Sequence, residues 1–217
     1  MRPTLTVLAG PNGAGKSYFS DYFVQTNLIS TQPVNIDALE AQIDKSRIPN
    51  DPLRYGTEVI KAIDKVFQSL CQNAILNNND FSFECNLRKD QLSSVNLFEQ
   101  AGYQINIIYI WLDSIAISQE RVNLRVSEGG HPVGLESIKR NFKEGLQNLD
   151  FSVAENHWNH VYIIDNSKNI KHKGNPLSLL IEIDNNTVLQ ISNDFLSKNR
   201  QVLLPNIRNN FAISTRI

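Results

Sequence analysis

The stretch Gly10-Pro11-Asn12-Gly13-Ala14-Gly15-Lys16-Ser17 constrains this chain more than any other. It fits G-x-x-x-x-G-K-[ST], the loop that wraps the phosphates of a nucleoside triphosphate. Leu5 to Ala9 is a short apolar run that reads as a buried strand. Ser17 to Val24 follows with helical character and apolar residues at Tyr18, Phe19, Tyr22 and Phe23. Strand, glycine loop and helix form the setting in which the pattern has a mechanism. Backbone N–H groups must approach phosphate oxygens closely, and Gly10, Gly13 and Gly15 carry no side chain to block them. The helix start adds partial positive charge. Lys16 supplies a full charge for the β- and γ-phosphates, and Ser17 a hydroxyl for Mg²⁺. Pro11, Asn12 and Ala14 complete the cradle. The competing reading, a glycine turn that happens to precede Lys-Ser, is disfavoured by the strand and the helix around it.

A chain of 217 residues with 41% hydrophobic content suits one α/β domain with additions and argues against disorder. A formal net charge of −1 offers no general attraction for nucleic acid or acidic membranes. The N-terminus lacks an apolar stretch of signal-peptide length, and no segment approaches a transmembrane helix. Cys71 and Cys85 have no metal spacing and read as free thiols of a reducing cytosol. A cytoplasmic location, with no nucleic-acid or membrane partner, is the expectation.

Along the chain, Pro33 to Asp37 reads as a second strand and Ala38 to Lys45 as a helix. Pro49-Asn50-Asp51-Pro52 breaks that helix, and Asp51 can cap the next, which runs from Glu58 to Leu76 on helical spacing. Phe81 to Leu87 is the third strand and Gln91 to Gln100 a helix. Ile105 to Leu112 is apolar throughout, as a strand buried on both faces should be. Helices over Ile115 to Val126 and Leu135 to Leu149 flank a glycine-rich loop, and Val161 to Asp165 is a fifth strand. Alternating strands and helices predict a three-layer α/β sandwich with a mainly parallel five-stranded sheet and a binding crevice at the strands' carboxyl ends. Leu180 to Ile191 reads as a hairpin about Asn185-Asn186. No pattern emerges from Phe195 onward. The expected organisation is a core over 1–170, with a lid over about 114–149, and an extension over 171–217 packed on it.

Several side chains could carry chemistry. Asp37 closes the second strand, where a carboxylate can accept a hydroxyl proton during phosphoryl transfer or simply cap the next helix. Glu84 sits in an otherwise apolar strand, which suggests a substrate or metal-water contact, with an ion pair to a structural Arg as the alternative. Asp113 resembles a metal-holding aspartate at a strand end, but the helix beginning after it favours a capping role for Asp113 or Ser114. Arg121 and Arg125 share a helix face, Gly129-Gly130-His131 follows, and Arg140 lies on the next helix. Two helices joined by a glycine-rich loop, with Arg on each, describe a lid closing over phosphates. A salt ladder through Glu136, Arg140 and Glu144 is the structural alternative. His131 either contacts a phosphate or orders the loop.

Together, Ala9 to Ser17, Asn35-Ile36-Asp37, Phe83 to Leu87, and Arg121-Val122-x-x-Arg125-Val126-x-x-Gly129-Gly130-His131-x-Val133 with Ile138-x-Arg140-x-Phe142 resemble the zeta toxin family, in particular its small bacterial branch of predicted ATPases. The resemblance spans about Thr4 to Leu149. It implies a kinase that uses ATP or GTP with Mg²⁺ to phosphorylate a small molecule, with the 3′-hydroxyl of a UDP-N-acetyl amino sugar as the family's acceptor. It further implies a small antitoxin partner that covers the nucleotide site. By the same resemblance Lys16 and Ser17 hold phosphates and metal, and Asp37 is the base. Glu84 orients the sugar, and Arg125 and Arg140 are lid cations on the phosphates, with Arg121 a lesser candidate; Arg121 and His131 are also taken as substrate-binding candidates. The family usually carries Glu-Thr where this chain has Glu84-Cys85. Two other functions stay open at this point: a non-toxic nucleoside or metabolite kinase, and an NTP-hydrolysing switch.

Overall fold

The computed structural model describes residues 2–36, 38–39, 43, 48, 55–168, 177–198 and 200–213. Strand β1 (Thr4–Ala9) leads through the glycine loop into α1 (Lys16–Gln25). Then come β2 (Val34–Asn35), α2 (Tyr55–Leu76), β3 (Phe81–Cys85), α3 (Lys89–Gln100) and β4 (Gln104–Trp111). Two helices, α4 (Ile115–Ser127) and α5 (Leu135–Ala154), come next, followed by β5 (His160–Asp165). The hairpin strands β6 (Ser178–Asp184) and β7 (Thr187–Ile191) precede α6 (Asn193–Ser197), a 3₁₀ turn (Arg200–Leu203) and α7 (Pro205–Asn210).

One sheet runs in the order β2-β3-β1-β4-β5-β6-β7. Its first five strands are parallel, and the hairpin extends it antiparallel on the β5 edge. Each parallel connection crosses over through a helix, so the sheet is covered on both faces and its central strands are apolar on both sides. Leu5, Val7 and Ala9 of β1 pack into one core with Phe67 of α2, Phe98 of α3 and Leu149 of α5. Leu8 points the other way, into a second core with Phe23, Ile108, Ile110 and Ile164. The topology places β1 between β3 and β4. The glycine loop therefore opens at the crevice between the two.

The hairpin lies where the alternation placed it. Asn185 and Asn186 adopt φ of 42° and 63°, the paired left-handed conformation that lets a two-residue turn match the strands' twist. The helix expected to stop at Leu149 continues to Ala154 because Val153 extends the buried stripe. The C-terminal helices were not anticipated. Their signals are short: Ser192 Oγ accepts from Phe195 N at 3.2 Å, and Pro205 begins α7. The buried Asp150 carboxylate on α5 caps α7, accepting from the backbone N–H groups of Asn206 and Ile207 at 3.0 and 2.8 Å. That cap comes from a distant helix, so no local pattern announces it. Asp37, the capping Asp51 and most of the helix expected over Ala38 to Lys45 lie outside the described residues. Among the described residues no helix is long and apolar enough to cross a membrane.

Candidate active site

The carboxyl ends of β1 and β3 and the helix α4 enclose a cavity of about 550 Å³. The loop Asn12–Ser17 forms its floor, Asn35, Glu84 and Asn86 one wall, and Arg121, Arg125 and Glu128 the other. The floor is held from behind by side chains that take up its carbonyl groups. Ser118 Oγ donates to Asn12 O at 2.5 Å, Arg121 to Gly13 O at 3.3 Å, and Asn166 Nδ2 to Ala14 O at 2.8 Å. Asn141 Nδ2 reaches the Asn12 side chain at 2.9 Å. With the carbonyls of Asn12, Gly13 and Ala14 taken up in this way, the loop can present N–H groups to a bound anion. Gly10 is required by contact: a Cβ there would lie 2.6 Å from the Ile110 carbonyl oxygen.

Lys16 Nζ donates to Gly10 O at 2.8 Å, Pro11 O at 3.3 Å and Asn86 Oδ1 at 3.0 Å. This arched conformation places the ammonium over the cradle. Ser17 Oγ lies 2.8 and 3.0 Å from the two Glu84 oxygens, with Asn35 Nδ2 at 3.4 Å. Glu84 is only 6% exposed, and both of its carboxylate oxygens face the serine hydroxyl. Ser17 and Glu84 offer oxygen donors of the kind Mg²⁺ selects, a hydroxyl and a carboxylate with space for water and phosphate, while Asn35 turns its Nδ2 toward Ser17 and its Oδ1 accepts from the Ala38 N–H at 3.2 Å. The donor set fits the metal. Burial pushes the neighbouring Cys85 thiol up to about 12, against the smaller opposing effects of the Leu87 N–H and the Lys16 charge. That thiol is neutral and a poor nucleophile at physiological pH.

The three arginines have different surroundings. Arg121 is buried at the cavity wall against the loop, bonded to the carbonyls of Gly13, Asn166 and Ser167. Burial lowers its pKa from the ordinary arginine value, with Asp165 and Glu120 opposing, and it stays charged. Arg125 lines the cavity and is tied by Nη2 to the His131 carbonyl at 2.9 Å. Arg140 and the His131 side chain are exposed and are not among the cavity-lining residues. Asp113 faces away from the cavity: it accepts from Trp111 Nε1 at 2.9 Å and pairs with Arg200. Ser114 is the cap of α4, accepting from Ile117 N at 3.3 Å.

The sequence reading did not single out Asn35, Asn86 or Asn166 as site groups. Each is a polar residue at or just beyond the carboxyl end of a parallel strand, which is the signal that could have found them. Ser118 and Asn141 carry no such signal, because their role depends on how α4 and α5 pack against the loop.

The zeta toxin family model matches residues 1–175. No curated protein sequence matches the chain at a significant level. Among solved structures, AvrRxo1-ORF1:AvrRxo1-ORF2 with sulphate ions shares 14% identity at a TM-score of 0.65, covering 97% of this chain and 72% of that one. The PezAT chromosomal toxin–antitoxin system of Streptococcus pneumoniae shares 12% identity at 0.59, over 97% and 88%. AvrRxo1-ORF1:-ORF2 with ATP shares 13% at 0.60, over 91% and 63%. At these identities the structural likeness is one of fold.

Proposed function

The chain belongs to the zeta toxin family, and from that premise we propose that it is a kinase transferring the γ-phosphoryl group of ATP or GTP to a hydroxyl of a small molecule, as the toxin of a toxin–antitoxin pair. The observation that carries this reading is the convergence of Lys16 Nζ, Ser17 Oγ, Glu84 and Asn86 at one cavity on the glycine loop. A triphosphate lies along Gly10 to Ser17, and Lys16 exchanges its carbonyl partners for phosphate oxygens. Ser17 and Glu84 hold Mg²⁺, which when bound offsets phosphate charge. Arg125 faces the phosphates from the cavity wall, and Arg140 reaches them when the lid tip closes. Arg121 acts by holding the loop. Asp37 is the base. It follows β2, whose Asn35 is in register with Glu84 of β3, so the chain leaves β2 beside the metal side of the cavity.

We take 1–170 as the kinase core, with the lid over about 114–149, and 171–217 as an extension. A UDP-N-acetyl amino sugar is the proposed acceptor. A small antitoxin covering the cavity is the proposed partner, supported by the toxin–antitoxin context of the S. pneumoniae relative. ATP as donor is supported by the ATP-containing structure of like fold. The test is mass-detected turnover of ATP with UDP-N-acetylglucosamine on wild type and Asp37→Ala. A sugar product heavier by one phosphoryl group, absent in Asp37→Ala, is the expected result. ATP binding with no modified sugar removes this acceptor, and equal rates in the two proteins remove Asp37 as base.

A further inference from the structure

Gly129 and Gly130 are adjacent, and the structure needs them for different reasons. Helix α4 ends in two crossing bonds, Gly129 N to Val126 O at 3.0 Å and Gly130 N to Arg125 O at 2.9 Å, the arrangement that closes a helix through a left-handed residue. Gly129 is that residue, with φ of +92°, and a Cβ on it would meet nothing within 4 Å. Its requirement is conformational. Gly130 has no such backbone demand. A Cβ on it would lie 2.6 Å from Arg125 Cγ, 3.2 Å from Arg125 Cδ and 3.0 Å from the Arg125 carbonyl oxygen. Its requirement is space for one residue, Arg125, above all for the start of its side chain. That side chain passes over Gly130 and ends on the carbonyl of the next residue, Arg125 Nη2 to His131 O at 2.9 Å. The loop therefore touches Arg125 twice, once where the aliphatic stem leaves the helix and once at the guanidinium.

We propose that Gly130 is a positioning residue for Arg125: by lacking a Cβ it lets the Arg125 stem lie against the loop, with the His131 main-chain carbonyl holding the guanidinium at the cavity wall. This rests on the reading of Arg125 as a phosphate-facing cation. A guanidinium held beforehand does not have to be ordered during the reaction. In this arrangement it is the main chain of the Gly-Gly-His segment that works on the site, and the exposed imidazole is outside it.

The experiment compares kcat and KM for ATP turnover in wild type, Gly130→Ala, Arg125→Ala and the double variant, with melting temperatures recorded for each. Gly130→Ala should lower kcat by about ten- to a hundredfold with KM for ATP within about threefold. In the Arg125→Ala background it should change kcat by less than about twofold, since the group it positions is gone. Gly129→Ala should show the reverse pattern: a lower melting temperature, with kcat reduced less than in Gly130→Ala. A Gly130→Ala penalty of equal size in both backgrounds overturns the proposal. Should Gly130→Ala fail to fold, Arg125→Lys carries the test, because Lys keeps the charge and loses the Nη2 donor. A loss close to that of Arg125→Ala supports the proposal, and near wild-type turnover overturns it. If wild type turns over no ATP, the kinase reading falls by itself. The crystal structure of Gly130→Ala then decides the positioning: loss of the Arg125–His131 contact supports it, and its retention overturns it.

Discussion

Two clusters of charged side chains lie at the carboxyl ends of neighbouring strands, and they have opposite fates. At the ends of β1 and β3, Lys16, Ser17, Glu84 and Asn86 surround a cavity of about 550 Å³. At the ends of β4 and β5, Asp113 and Asp165 meet Arg200, which is 3% exposed and pairs with Asp113, Asp165 and Asp194 at 2.6, 2.7 and 2.9 Å. Its guanidinium also lies 5.9 Å from the Trp111 ring centroid. Both clusters have the composition from which catalytic sites are made. The difference is that the C-terminal segment supplies the counter-charge for the second and fills it, while the first keeps room for an anion. A strand-end aspartate is thus evidence of function only when nothing else in the chain arrives to neutralise it. Asp113 shows the point, since its resemblance to a metal-holding aspartate ends at Arg200.

Removing a charge from each cluster should break the comparison in opposite directions. Lys16→Ala should reduce ATP turnover by about a thousandfold or more. Its melting temperature should stay within about 2 °C of wild type, because the ammonium is bonded to carbonyls that water can also serve. Loss of folding in Lys16→Ala would mean that the open cluster is also structural. Arg200→Ala should cost about 3 kcal/mol of stability in chemical denaturation, since it leaves the buried Asp165 carboxylate with its bonds from Ser167 but without its ion-pair partner. Replacing both groups, in Asp165→Asn with Arg200→Met, should recover much of that loss, and a double variant as weak as the single one would refute the account.

The smallest effect is in pH dependence. Burial alone would raise the Asp113 pKa, but hydrogen bonds from Trp111 and Arg200, with the charges of Arg200 and Lys198, lower it below its ordinary value of 3.8. A carboxylate with a depressed folded-state pKa adds stability that is present above the unfolded value and lost as pH falls through the folded one. Stability should therefore carry this contribution at neutral pH and lose it on acidification below the ordinary carboxylate range. The slope attributable to Asp113 should be shallower in Arg200→Ala. An unchanged acid slope in that variant would separate Asp113 from the clamp.

Much of the molecule was legible in its letters, and the reason is locality. The glycine loop, the apolar strand before it and the hairpin turn at Asn185-Asn186 each depend on residues next to one another, whose backbone preferences and periodicity determine their form. The parallel pairing of the five strands follows from alternation of strand and helix, because crossovers run one way, whereas their order in the sheet does not. The segment after Phe195 was not legible: its helices are short, and α7 takes its cap from Asp150, which is 57 residues away from the Ile207 N–H it serves. Arg121 and Arg125 show the same limit at side-chain scale. They share a helix face and both line the cavity, yet Arg121 is buried against the phosphate loop and Arg125 is exposed, because α4 crosses Gly13 at Arg121.

The sequence by itself determined a phosphate loop between a buried strand and a helix, a largely parallel sheet to carry it, and membership of the zeta toxin family. Only the tertiary structure decided that Glu84 meets Ser17 and that Asn86 holds Lys16. It also decided that Asp113 is spent on Arg200, 87 residues away. Backbone conformation responds to neighbours in the chain, whereas a charge takes whichever partner packing brings within about 3 Å of it.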